Sequence, residues 1–304
     1  MTRTGGLPEK PWKAGAVVRF VPSIVLCVMA GATVALVFSY FEKEQKSSLL
    51  VFLPLAIAAF AAFVGAVYLL MRPWPLENYM SRLLGLTICI YGGFLFMWLA
   101  GRQVTGKPEL HNPIVSMLLA VLMFQGAAIA LTHFFLREHQ TNWIEGFGLL
   151  NRPGQSIAIG TGAGLLVLPA AWWLQNLSAR LFEKLALDPQ EQLAVEILRH
   201  VEGWPARIAL GIATILIAPL GEEILFRGIL YPAIKRTGHQ QLALWSTAIL
   251  FGAIHANLAS FVPLTLLAVV LVWLYEYTGN LLTCFVVHCI FNAVNFIALY
   301  LQQK

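Results

Sequence analysis

GEEILFRG, Gly221 to Gly228, sits inside the apolar run ARIALGIATILIAPLGEEILFRGILYPAI that covers 206–234. The run is long enough to cross a bilayer, yet it carries two carboxylates and a guanidinium near its centre. A charge in hydrocarbon costs on the order of several kcal/mol unless it is paired or kept in a wet cavity, so by default it marks a functional site. Two more fragments downstream repeat the anomaly. FGAIH, Phe251 to His255, and HCIFN, His288 to Asn292, add two imidazoles and an amide to apolar stretches.

The rest of the chain reads as housing for these groups. Hydrophobic residues make up 59% and charged residues 12%, against about 25% charged in soluble domains. This composition predicts an all-α, polytopic membrane helical bundle of about 8–9 transmembrane helices. Apolar spans are expected at about 18–40, 48–71, 82–101, 113–136, 155–176, 206–234, 240–258, 261–278 and 281–301. The first is expected to remain as an uncleaved span, because it is long for a signal-peptide core and no small-residue cleavage pattern closes it.

The net charge of +5 does not point to nucleic acid, because Lys and Arg are scattered at span ends, as in Lys235-Arg236, with no basic stripe. Arg19 is close enough to a span end to snorkel. Trp12, Trp74, Trp143, Trp172, Trp173 and Trp204 also lie near span ends, where an interfacial aromatic belt would place them. The cysteines Cys27, Cys89, Cys284 and Cys289 show no paired spacing and read as small apolar residues. Gln125 and His133 read as interhelical hydrogen-bonding residues. The connector 176–203 is richer in charge and helical in period. It reads as one or two interfacial amphipathic helices broken at Asp188-Pro189.

Helical geometry sorts the polar groups. Residues i and i+4 share a face, so Glu223 neighbours Arg227, and Glu222 points elsewhere. Arg227 is expected to neutralise Glu223, which leaves Glu222 to face a cavity. Pro219 removes a backbone donor just before the acids and favours a kink there. The same spacing pairs Phe251 with His255 and His288 with Asn292, and Asn295 continues the latter face. At roughly 1.5 Å rise per residue, the three helices present these groups at overlapping depth.

EExxxR as Glu222-Glu223-Ile224-Leu225-Phe226-Arg227, then Phe251xxxHis255, then His288xxxAsn292, resembles the CPBP or Abi family of CAAX proteases and bacteriocin-processing enzymes, related to the type II CAAX prenyl endopeptidase. The resemblance covers about 205–299. It implies an intramembrane endopeptidase acting on a membrane-associated peptide or protein, prenylated or of signal type. Carried over by position, Glu222 and His255 would activate water, and His288 and Asn292 would hold the oxyanion. Glu223, Arg227 and Phe251 would support them. Glu222, His255 and His288 also form a carboxylate–imidazole set of the kind that holds catalytic zinc, so a divalent metal remains an open alternative.

Three regions are then expected. Residues 1–155 hold N-terminal transmembrane helices, 156–204 a transmembrane helix plus the interfacial segment, and 205–300 the catalytic transmembrane core. The expected partners are the lipid bilayer and the membrane-associated substrate. The expected place is a bacterial cytoplasmic membrane with the N-terminus on the cytoplasmic side. Buried charge would also suit a transporter, a scaffold or a bacteriocin-immunity protein. Inverted-repeat transporters, however, carry matching broken helices in both halves, and here the polar groups occupy only the last spans.

Overall fold

The computed structural model describes residues 7, 9–42, 48–104, 113–185, 193–201 and 203–302, and among these every regular element is a helix. Eight helices are long and apolar enough to cross a membrane: α1 (Ala14–Glu42), α2 (Leu49–Leu70), α3 (Tyr79–Gly101), α4 (Ile114–Glu138), α6 (Pro153–Lys184), α8 (Trp204–Lys235), α10 (Leu258–Thr278) and α11 (Leu281–Leu301). Two are short, α5 (Trp143–Phe147) and α7 (Leu193–His200). The ninth apolar run forms α9 (Gln240–Ile254), of only 15 residues. That is about 22 Å of rise, less than the roughly 30 Å of hydrocarbon that a full span must cross. The molecule is a polytopic helical bundle and an integral membrane protein. Outward side chains such as Leu50, Leu166 and Trp273 are apolar and exposed, as lipid-facing side chains are.

The chain divides into two compact units, Ala14–Glu138 and Met1–Lys13 with His139–Lys304. In the first, α2 packs between α1 and α3. One apolar cluster gathers Leu36, Tyr40, Phe52, Ala56 and Ala100, with the Tyr40 and Phe52 rings stacked at 3.9 Å. Arg19 does not snorkel, because Glu138 takes its guanidinium at 2.6 Å. Gln125 is buried in a wide π-helical turn, Leu122–Gly126. His133 is exposed with its ring against Phe134, so it does not lie between helices.

In the second unit α6 lies along α10 and α11, and α9 packs on α10. Small residues let α6 come close. A Cβ on Gly160 would fall 2.9 Å from the Thr283 carbonyl oxygen, and one on Gly164 would fall 3.1 Å from Ile290 Cβ. Such small-residue seams drive helix association in lipid. α11 is fixed at its start by Asn280. The Asn280 side chain accepts the Leu282 N–H and donates to the Leu149 and Asn151 carbonyls. Gly148, at φ +68°, makes that approach possible, because any Cβ there would collide with the Gly279 carbonyl.

Two expectations change here. α6 runs unbroken to Lys184, past the expected boundary at Asn176. Asp188-Pro189 lies outside the described residues. Within α7, Ile197 and Leu198 are buried, and the helix packs against α11. Those two side chains pack on protein. Trp12 is not interfacial either; it is 1% exposed.

Candidate active site

α8 carries the acids, and its backbone explains their setting. The helix widens twice into π-helical turns, at Ala213–Ile217 and Ile224–Leu230, on either side of Ala218–Glu223. Such widened turns recur at functional sites because they rotate the following side chains and free backbone carbonyls. A proline follows each one closely. The Ala218 N–H bonds the Ala213 carbonyl, five residues back. The next donor in that register would be Pro219, which has none, and it would have met Thr214. The side-chain amide of Asn292 on α11 takes the Thr214 carbonyl instead, at 2.8 Å. The second turn ends in a similar way. The Tyr231 N–H bonds the Phe226 carbonyl, five residues back; Pro232 has no donor for the Gly228 carbonyl, four residues back, and that carbonyl receives the indole N–H of Trp12 at 2.8 Å. A buried carbonyl left bare costs about 1–3 kcal/mol, so both side-chain donors are structural necessities as much as site features.

The charged cluster lies between these two ties. Arg227 Nη1 donates to Glu223 Oε1 at 2.9 Å, and Nη2 donates to the Ala268 carbonyl at 3.3 Å. Glu223 is 0% exposed, Arg227 1%, His288 2% and Glu222 6%. His288 reaches across from α11, its Nδ1 2.8 Å from Glu223 Oε1 and its Nε2 3.8 Å from Glu222 Oε2. A carboxylate already paired with Arg227 can only accept. The His288 proton facing it therefore sits on Nδ1, and Nε2 is turned toward Glu222.

Phe251 forms the floor of the cluster. Its ring centroid is 4.6 Å from the Arg227 guanidinium carbon, 5.0 Å from the His255 ring and 5.6 Å from the His288 ring. A desolvated guanidinium over a ring is worth about 2 kcal/mol. His255 is half-buried and closes the C-terminal end of α9, with Nδ1 2.8 Å from the Phe251 carbonyl. That contact directs Nε2 away from its own helix.

The structure thus gathers Glu222, Glu223, Arg227, Phe251 and His288 into one buried cluster. His255 joins through the Phe251 ring, and Asn292 stands one turn along α11 from His288. Asn295 does not extend this polar strip. It accepts the Trp172 indole N–H at 2.9 Å and donates to the Phe291 carbonyl, so it ties α6 to α11. Trp12, Thr214 and Ala268 are participants that sequence reasoning missed. The signal that could have found the first two is the pair Pro219 and Pro232, each of which removes one backbone donor from a buried helix. As for metal, among the described residues no three of His, Cys, Asp and Glu are grouped to hold an ion. Nδ1 of His288 is held by Glu223 and Nδ1 of His255 by a carbonyl, contacts that orient each ring and leave each Nε2 open. As placed, these groups are not gathered around one ion, and no step below passes through a metal.

Residues 204–294 match the family model described as type II CAAX prenyl endopeptidase Rce1-like. This region is similar to that family. The match begins with α8 and ends within α11, so it takes in every charged or imidazole group of the cluster. The chain is also similar to the uncharacterized protein YpbD of Bacillus subtilis (strain 168), at 35% identity over 85 residues, 27% of this chain and 40% of that protein. The chain therefore spans about two fifths of the length of that curated relative. No solved structure matches.

Proposed function

We propose that this chain is an intramembrane endopeptidase that hydrolyses a peptide bond of a membrane-associated substrate with water activated by Glu222 and His255. One observation carries the reading: the His288 imidazole is held between Glu223 at 2.8 Å and Glu222 at 3.8 Å, buried, on the helix that faces the acids. The Rce1-like match over the same residues supports the reaction class. The organisation proposed with it is a catalytic core over 205–300, preceded by helices of no assigned chemistry.

Peptide hydrolysis needs a base for water, donors for the oxyanion and a proton for the leaving amine. Glu222 takes the proton as water oxygen attacks the scissile carbonyl carbon, and His255 orients that water. The carbonyl oxygen becomes an oxyanion. When doubly protonated, His288 donates a hydrogen bond from Nδ1 to Glu223 and turns its Nε2–H to the Glu222 side, toward the oxyanion. Two carboxylates, one guanidinium and one imidazolium then balance in charge, as a site of low dielectric demands. Asn292 spends one amide proton on Thr214 and keeps the second for the oxyanion. The tetrahedral intermediate collapses as the carbon–nitrogen bond breaks, and Glu222 returns its proton to the amine.

The test is the membrane proteome of cells carrying wild type or Glu222→Gln. Uncleaved membrane peptides should accumulate with the variant, and purified Glu222→Gln should cleave none of them while unfolding like wild type. Processing by Glu222→Gln at the wild-type rate would remove the assigned base.

A further inference from the structure

The residues before α1 belong with the charged cluster, not with the helix they precede, and their contacts suggest why. Residues up to Lys13 group with His139–Lys304. The described residues of this strap, Leu7 and 9–13, are pinned at several points. The Leu7 N–H donates to Glu276 Oε2 at 2.9 Å, and Glu276 Oε1 is shared by Tyr231 at 2.6 Å and Lys235 at 2.5 Å. The Lys10 ammonium lies 5.9 Å from the Tyr275 ring centroid. Arg236 donates to the Trp12 carbonyl at 2.9 Å, and the Lys13 N–H meets His139 Nε2 at 2.8 Å. Trp12 packs edge-on to His139 and tilted against Phe147. Its indole N–H ends on the Gly228 carbonyl, one residue after Arg227.

The outer bonds land near the end of α8 and on α10, where they can only fasten. The Trp12 bond is different, because it completes the wide turn that carries Arg227. If that bond is lost, ordinary pitch cannot replace it, because the donor four residues on would be Pro232, and the turn must shift to bring its bare carbonyl another donor. Arg227 then rotates, and Glu223 and the His288 ring follow, since each is held by the one before it. We infer that Trp12 is a positioning residue for the candidate active site, acting through Gly228, Arg227 and Glu223 on the His288 imidazole. The inference rests on the endopeptidase reading for its kinetic consequence, but its geometric consequence stands apart from any activity.

Trp12→Phe keeps a ring and removes the N–H, and Lys235→Gln loosens the strap far from Gly228. Full-length protein is purified in detergent and checked for folding by thermal unfolding. The His288 Nδ1 proton, held on a carboxylate, is followed by proton NMR and assigned by its loss in His288→Gln. Trp12→Phe should shift or broaden that signal, lower kcat about tenfold with little change in KM, and move the pH profile of kcat. Lys235→Gln should lower the unfolding temperature and leave the signal and kcat unchanged. An unaltered His288 proton in folded Trp12→Phe overturns the inference. A shifted proton in a protein that cleaves nothing would leave the inference standing and remove the endopeptidase reading. Equal effects of both variants on the proton would reduce Trp12 to a fastening and overturn its positioning role.

Discussion

Arg227→Ala offers the sharpest test of the buried cluster. Arg227 is 1% exposed and neutralises a glutamate that is 0% exposed. Its loss leaves Glu223 buried beside Glu222 without its cation, and removing one partner of such a pair costs about 3–5 kcal/mol. It also leaves the Ala268 carbonyl bare and the Phe251 face without its cation. Those two losses belong to the same truncation and are not added to it. The double variant Glu223→Gln with Arg227→Met removes both charges and should recover most of the loss, because a buried pair replaced by neutral groups of similar volume is often close to neutral. Unfolding in mixed micelles measures all three proteins. Wild type and the double variant should lie close together, with Arg227→Ala well below both. The double variant should still fail to cleave, because His288 loses its carboxylate. A loss of less than about 1 kcal/mol in Arg227→Ala, the size of an exposed pair, would refute the reasoning. So would a double variant no more stable than the single one.

Other outcomes follow from the same geometry. Asn292→Ala uncovers the Thr214 carbonyl and should cost about 1–3 kcal/mol in unfolding, together with a fall in kcat that exceeds any change in KM. Gly228→Ala places a Cβ 2.6 Å from Phe147 Cε1; it should destabilise the protein by about 1–3 kcal/mol, with recovery when Phe147 is shortened to Leu. Exhaustive chelation should leave peptide hydrolysis unchanged, and added zinc or cobalt should not raise it. Activity lost on chelation and restored by either ion would instead make Glu222, His255 and His288 metal ligands.

The apolar spacing was enough to read the helical class and most span boundaries, because about twenty apolar residues in a row admit few other structures. The i, i+4 rule was enough for Glu223 with Arg227, since both residues sit on one helix. It could not reach the bond between Glu223 and His288, which depends on how α8 and α11 are rotated toward each other. Glu223 was read as the partner of Arg227 and a support of the site; that it holds the imidazole directly lay beyond that reading. The wide turns of α8 escaped notice because a five-residue backbone register leaves the apolar pattern intact. α9 was read as a full span because the apolar residues continue past His255, where the backbone stops being helical. Trp12 was assigned to the headgroup region by its distance from α1, and nothing local reveals a partner more than two hundred positions away.

The proline-interrupted helix also bears on how the protein is made. The acceptor of Trp12 follows it 216 positions later, and Asn292 comes 78 positions after Thr214. During synthesis α8 must therefore wait with the Thr214 oxygen uncovered until α11 arrives, and with the Gly228 oxygen uncovered until Trp12 docks. Each uncovered oxygen in lipid costs several kcal/mol. Nascent chains halted before Asn292 should thus be hydrated, protease-sensitive intermediates, retained by the insertion machinery, while release into lipid awaits α11.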